Sequence, residues 1–142
     1  MIADSCVIDA SVLLSALFIE STSEAAWAAI DAAGELAAPD LMIAEATSVM
    51  SRKVRCRELD LTQAHGKLQE LRDMPISLSR ATELDSLALS LSIDLPHPVY
   101  DCFYLALAIQ RECTLLTLDR KLAHRAERAG FGDFVQLVGA GG

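Results

Sequence analysis

Five short apolar segments recur along the chain: "CVID" at 6–9, "ELAAP" at 35–39, "ISL" at 76–78, "TLLTL" at 114–118 and "FVQLV" at 134–138. Between them the apolar residues return every three to four positions, the period of an amphipathic helix. A strand followed by a helical connection cannot turn back as a hairpin, so the next strand runs parallel to it. The alternation predicts an α/β fold, a three-layer, Rossmann-like sandwich with a central parallel sheet flanked by helices. Helices are expected over 11–18, over 23–33 with Gly34 closing it, from Pro39 and Asp40 to about Arg57, over 61–73, over 81–91, from Pro98 to Glu112, and over 120–129 with Gly130 as the stop. With 142 residues, of which 52% are hydrophobic but only 5% aromatic, the chain can fill one ordinary aliphatic core. A single domain over 1–138 is expected, with the terminal "GAGG" as a flexible tail.

Four cysteines, Cys6, Cys56, Cys102 and Cys113, lack any C-x-x-C spacing, and all but Cys56 lie in apolar stretches, so buried thiols are expected rather than a zinc site or a disulfide framework. Asp4 and Asp9 interrupt any leader-like apolar run near the N-terminus, and no stretch reaches the roughly 18 apolar residues of a membrane span. A soluble, cytoplasmic chain is the expectation. A net charge of -8 argues against gripping nucleic acid by overall electrostatics and leaves the question to where the charges lie.

The acidic residues with no obvious business in apolar surroundings carry the chemistry. Asp9 and Asp119 follow strand segments, at the carboxyl ends where ligands collect in doubly wound sheets, although each could simply cap the helix after it. Glu45 falls within the apolar stripe Leu41, Met42, Glu45, Val49 of its helix, where capping offers no explanation. Asp101 opens a helix that is apolar all round, where the helix dipole alone would favour an anion. A carboxylate leaves water only at a cost of several kcal/mol unless it is paired. One cause covers all four: Asp9, Glu45, Asp101 and Asp119 converge as an all-oxygen site for Mg2+ or Mn2+. Such a site can polarise a phosphodiester and activate water, which points to hydrolytic cleavage.

In this arrangement the chain resembles the PIN-domain ribonucleases, especially the VapC toxins of type II toxin-antitoxin modules. "VIDASVLLSAL" resembles the family's first strand with its Asp-Ala-Ser, "APDLMIAEATSVM" its Pro-to-Glu helix, "YDCFYLALA" its third acidic motif and "LLTLDRKL" its fourth, in that order across nearly the whole chain. The resemblance implies a Mg2+-dependent endoribonuclease in which Mn2+ substitutes, a homodimer, and a small VapB-like antitoxin encoded beside it. It also implies that Asp9, Glu45, Asp101 and Asp119 are the catalytic metal ligands, with Ser11 and Thr117 as hydroxyl supports.

Eight of the 12 basic residues fall just beyond acidic ligands: Arg52, Lys53, Arg55 and Arg57 after Glu45, and Arg120, Lys121, Arg125 and Arg128 after Asp119. Arg52, Lys53, Arg55, Arg120 and Lys121 are accordingly candidate RNA contacts, with solvated helix faces as the plainer alternative. His65, His97 and His124 lie in no nucleophilic pattern and read as surface or loop residues. Tyr100, Phe103 and Tyr104 read as core in so apolar a helix, and Trp27 as packing or a dimer contact. A haloacid-dehalogenase-type phosphatase would need a second aspartate where Ser11 stands, and a phosphorylation receiver would need an acidic pair after the first strand and a mid-chain phosphoacceptor. The remaining rival is a non-catalytic PIN-like RNA-binding or scaffold protein. A mean hydropathy of +0.32 leads us to expect apolar surface kept for association.

Overall fold

The computed structural model describes residues 5–139; residues 1–4, and all of the expected C-terminal tail but Gly139, lie outside the described residues. The strands are β1 (Ser5–Ile8), β2 (Glu35–Pro39), β3 (Ile76–Ser79), β4 (Thr114–Thr117) and β5 (Val135–Leu137). The helices are α1 (Ala10–Leu17), α2 (Ser23–Ala32), α3 (Leu41–Arg55), α4 (Leu61–Asp73), α5 (Asp85–Asp94), α6 (Val99–Arg111) and α7 (Arg120–Arg128). All strand pairs are parallel, in the order β3-β2-β1-β4-β5. From β1 the chain steps through β2 to β3 on one side, then crosses back to β4 and on to β5. Right-handed crossovers taken in opposite directions put their helices on opposite faces, α1–α4 on one and α5–α7 on the other. The three-layer sandwich follows, with the order of strands reversing between β1 and β4. That reversal opens a crevice at the carboxyl ends of those two strands.

The core is aliphatic, as the composition requires. Val7, Ile8, Leu13, Leu105, Leu115 and Leu122 are all fully buried, each stabilising the fold by roughly 1.5 to 3 kcal/mol through removal of apolar surface from water. Helix α6 contributes Cys102 and everything from Tyr104 to Ala108 to that core. In α3 the buried stripe is Met42, Ala46 and Met50, and half-buried Glu45 borders it rather than lying within it.

Local chemistry sets several boundaries. Asp60 accepts a hydrogen bond from the Gln63 amide (2.8 Å) while the Gln63 side chain accepts one from the Asp60 amide (2.9 Å), a reciprocal cap that fixes the start of α4. Gly130, at φ +92, ends α7 in the left-handed conformation that a side chain resists. Gly34 has no such role: α2 closes at Ala33 with an extended backbone. Helix α3 begins one residue after Asp40, whose carboxylate accepts from the Ala81 amide (3.0 Å) instead of capping its own helix. The helix expected over 81–91 is a 3-10 turn, Ala81–Glu83, followed by α5, which runs on to Asp94. Phe134 belongs to a second 3-10 turn, and β5 starts after it. Among the described residues no helix is long and apolar enough to cross a membrane. Cys102 is buried, Cys6 and Cys113 are half-buried and Cys56 is exposed.

Candidate metal centre

Asp9 follows β1 directly, and its amide donates to the Leu116 carbonyl (3.0 Å), so it is held against β4 on the other side of the crevice. Although Asp9 occupies the N-cap position of α1, its carboxylate makes no capping bond. Instead Oδ2 accepts from Thr117 Oγ1 (2.7 Å) and Ser11 Oγ (2.9 Å), at a residue only 6% exposed. Ser11 Oγ in turn accepts from the Leu118 amide (3.2 Å), and Thr117 Oγ1 from the Asp119 amide (3.0 Å). The two hydroxyls thus tie Asp9 to the end of β4. Burial pushes the Asp9 carboxyl above the usual range; the Thr117 and Ser11 bonds oppose the shift, and the charges of Asp101 and Asp119 add to it.

Glu45, on the second turn of α3, accepts a 2.5 Å hydrogen bond from the hydroxyl of fully buried Tyr104 on α6. Its carboxyl is also raised, chiefly by burial, against the Tyr104 bond and with the help of Asp9 and Asp101. The Tyr104 hydroxyl is pushed far above its ordinary value by burial and by Glu45, so it stays protonated as a donor. Asp101 sits in the first turn of α6 with Oδ2 2.7 Å from His97 Nε2. Asp119 does cap α7: its Oδ1 accepts from the Lys121 (3.0 Å) and Leu122 (3.2 Å) amides, and its Oδ2 lies 3.6 Å from His97 Nε2.

All four carboxylates line one open pocket of about 410 Å3, together with Ser11, Leu14, Ser48 and Val49. Among the described residues no lysine or arginine is ion-paired with Asp9 or Glu45. No lysine or arginine side chain therefore neutralises those two carboxylates directly, and the donors are hard oxygens, a set that fits a hard divalent cation. Each carboxylate is also anchored through one oxygen by a donor: Thr117 and Ser11 for Asp9, Tyr104 for Glu45, His97 for Asp101 and backbone amides for Asp119. Anchored ligands are the usual support of a metal centre. Removing one anchor tests this directly. Tyr104→Phe should weaken Mn2+ binding about tenfold by leaving Glu45 free to rotate, and lower stability by about 1 kcal/mol, as read by calorimetric titration and thermal melts.

Two expectations are corrected here. His97 lies in the loop before α6, as one of the two readings had it, but it is not set apart from the site: it is 8% exposed and joins Asp101 and Asp119, with the three potential ligand atoms within 4.8 Å of one another. The i, i+4 spacing of His97 and Asp101 was the available signal, hidden because His97 precedes the helix. Tyr100 is 64% exposed rather than core, being on the outward side of the first turn of α6. Tyr104 is core as expected but carries the Glu45 contact as well. His65 and His124 are exposed, and Trp27, 42% exposed, donates to the Ala16 carbonyl (2.8 Å). Burial and then Asp101 push the Cys102 thiol up to about 11, so it packs as a neutral group beside the pocket.

The basic candidates divide. Arg52, Lys53 and Arg55 occupy the last turn of α3; Lys53 Nζ lies over the Phe18 ring (4.8 Å to its centre), and Arg55 lines a groove between α3 and α4. Arg120 and Lys121 are exposed in the first turn of α7, beside Asp119.

Comparison with known proteins adds to this geometry. The family model described as "PIN domain" matches residues 6–128. Ribonuclease VapC3 of Pyrobaculum aerophilum is 33% identical over 121 residues, which span 84% of this chain and 92% of that protein. Among solved structures, PAE2754 from Pyrobaculum aerophilum superposes with a TM-score of 0.66 at 22% identity, covering 86% of this chain and 79% of that one. VapBC2 from Rickettsia felis, solved bound to a DNA fragment from their promoter, gives a TM-score of 0.66 at 11% identity over 94% of this chain and 98% of that one. At such identities the two structures speak to the fold alone.

Proposed function

This chain belongs to the PIN domain family, and from that premise we propose that it is a Mg2+-dependent endoribonuclease, the toxin of a type II toxin-antitoxin pair, with Mn2+ able to replace Mg2+. Asp9, Glu45, Asp101 and Asp119 hold the metal. The observation that carries the reading is that four carboxylates from four separate elements face one pocket, each fixed through one oxygen by a dedicated donor. When bound, a Mg2+ or Mn2+ ion supplies charge neutralisation and Lewis-acid polarisation of the scissile phosphodiester.

The chain's own residues do the rest. Ser11 and Thr117 keep Asp9 from rotating, and Tyr104 does the same for Glu45 across the mouth of the crevice. Arg120 and Lys121, exposed beside the pocket, and Arg52 two turns beyond Glu45 meet the flanking phosphates of the RNA. Lys53 is held over Phe18 and contributes less. No nucleophilic side chain is needed, since water is the attacking group.

A VapB-like antitoxin and a second copy of this chain complete the proposal. Exposed Leu89 and Ile93, one turn apart on α5, and exposed Tyr100 on α6 supply apolar surface suited to a homodimer. The apolar groove lined by Met50, Val54, Leu61 and Leu68 suits a small partner protein. A PIN-like protein that binds RNA without cutting it is the alternative. Purified protein incubated with structured RNA decides between them: cleavage in Mg2+ that stops in chelator is expected, whereas RNA binding with no cleavage in either Mg2+ or Mn2+ would overturn the nuclease reading.

A further inference from the structure

We propose that His97 is a positioning residue for Asp101, locked into its donating form by Arg125, and not itself a metal ligand; this rests on the reading of the acidic pocket as a metal centre. The imidazole is buried, and the Ser92 carbonyl accepts from its backbone amide (3.1 Å), so the ring has little freedom. Its two nitrogens face different partners: Nε2 is 2.7 Å from Asp101 Oδ2, and Nδ1 is 2.9 Å from Arg125 Nη1.

The assignment of the ring proton follows from those partners. A guanidinium has only donors to offer and does not lose its proton in a protein. Nδ1 must therefore be the accepting nitrogen, and in the neutral ring the hydrogen then resides on Nε2, pointing at Asp101. A histidine that binds a metal does so through a lone pair. Here the Nε2 lone pair is replaced by an N–H, and the Nδ1 lone pair is occupied by Arg125. The closeness of Nε2 to the Asp101 and Asp119 oxygens, all within 4.8 Å, thus reflects a donor hydrogen-bonded to Asp101 with Asp119 nearby at 3.6 Å.

The consequence is mechanical. Asp101 comes from the start of α6, and Asp119 and Arg125 come from the start and the last turn of α7. Arg125 to His97 to Asp101 is a chain of hydrogen bonds that ties α7 to α6 and fixes the rotation of the Asp101 carboxylate. It also brings a cation next to an acidic cluster without placing it in the pocket, where it would compete with a metal ion.

The test measures Mn2+ affinity of the metal-free protein by calorimetric titration, for wild type, His97→Ala, His97→Gln and Arg125→Met, with circular dichroism as the check on folding. His97→Ala and Arg125→Met should each weaken Mn2+ binding about tenfold or more, whereas His97→Gln, whose amide restores a donor at similar reach, should stay within about threefold of wild type. Pulsed electron paramagnetic resonance of Mn2+-loaded wild type should show no coupling to an imidazole nitrogen. Unchanged affinity in His97→Ala or in Arg125→Met, a Gln variant as weak as Ala, or a directly coordinated nitrogen would each overturn the proposal. If His97→Ala does not fold, Arg125→Met, at a half-buried position, and His97→Gln carry the comparison alone. Failure of wild type to bind Mn2+ at all is a different result: it removes the metal centre, and this inference with it.

Discussion

Asp9→Asn and Asp101→Asn are each expected to reduce RNA cleavage by at least about a hundredfold while leaving the fold intact. At Asp9 the amide oxygen of asparagine still accepts from Thr117 and Ser11, so the two hydroxyls keep their partner and only the charge is lost. At Asp101 the same oxygen still accepts from His97 Nε2. The substitutions therefore separate charge from shape. Cleavage assays on purified protein measure the loss, circular dichroism checks the fold, and expression in a bacterial host should arrest growth with wild type only. Full cleavage by both variants would overturn the assignment of the site.

The second large effect concerns stability. Burial and mutual repulsion raise the Asp9 and Glu45 carboxyls in the folded protein above their ordinary values of 3.8 and 4.5. At these two groups the folded state then binds protons more tightly than the unfolded one, so the stability they contribute to the metal-free protein is fully present at acid pH and is lost as pH rises from the ordinary carboxylate range through the raised values. Mn2+ at a hundred times its dissociation constant should restore about 2.7 kcal/mol, an increase in melting temperature on the order of 8 °C for a chain of this size. Asp101→Asn removes one of the charges acting on Asp9 and Glu45, so it should melt higher than wild type in chelator and show little response to Mn2+. Were Asp101 only a partner of the α6 dipole, asparagine would destabilise by about 0.3 to 1 kcal/mol and the Mn2+ shift would survive.

What the sequence made legible follows from the range of the interactions concerned. The strands at "CVID", "ELAAP", "ISL" and "TLLTL" announce themselves by composition and flanking turns, and a carboxylate at a strand end is placed by the parallel sheet itself. Glu45 was conspicuous because it borders a buried stripe. The supports were less visible. Tyr104 meets Glu45 across 59 positions and Arg125 meets His97 across 28, and no local pattern encodes such pairs. Tyr104 looked like core because it is core; its hydroxyl, at one end of a buried ring, has a separate job. Tyr100 reads as buried because the apolar character of α6 extends into its first turn, where Tyr100 is in fact 64% exposed. For Asp119, capping and a place in the pocket are not alternatives: its two oxygens divide between them.

The most direct test is to add Mn2+ stepwise to metal-free wild-type protein, recording binding by calorimetry and, under the same conditions, the rate of RNA cleavage. The account predicts that cleavage is absent in chelator and rises along the binding curve, saturating when the site fills. Undiminished cleavage in chelator, or a filled site that cleaves nothing, would contradict it.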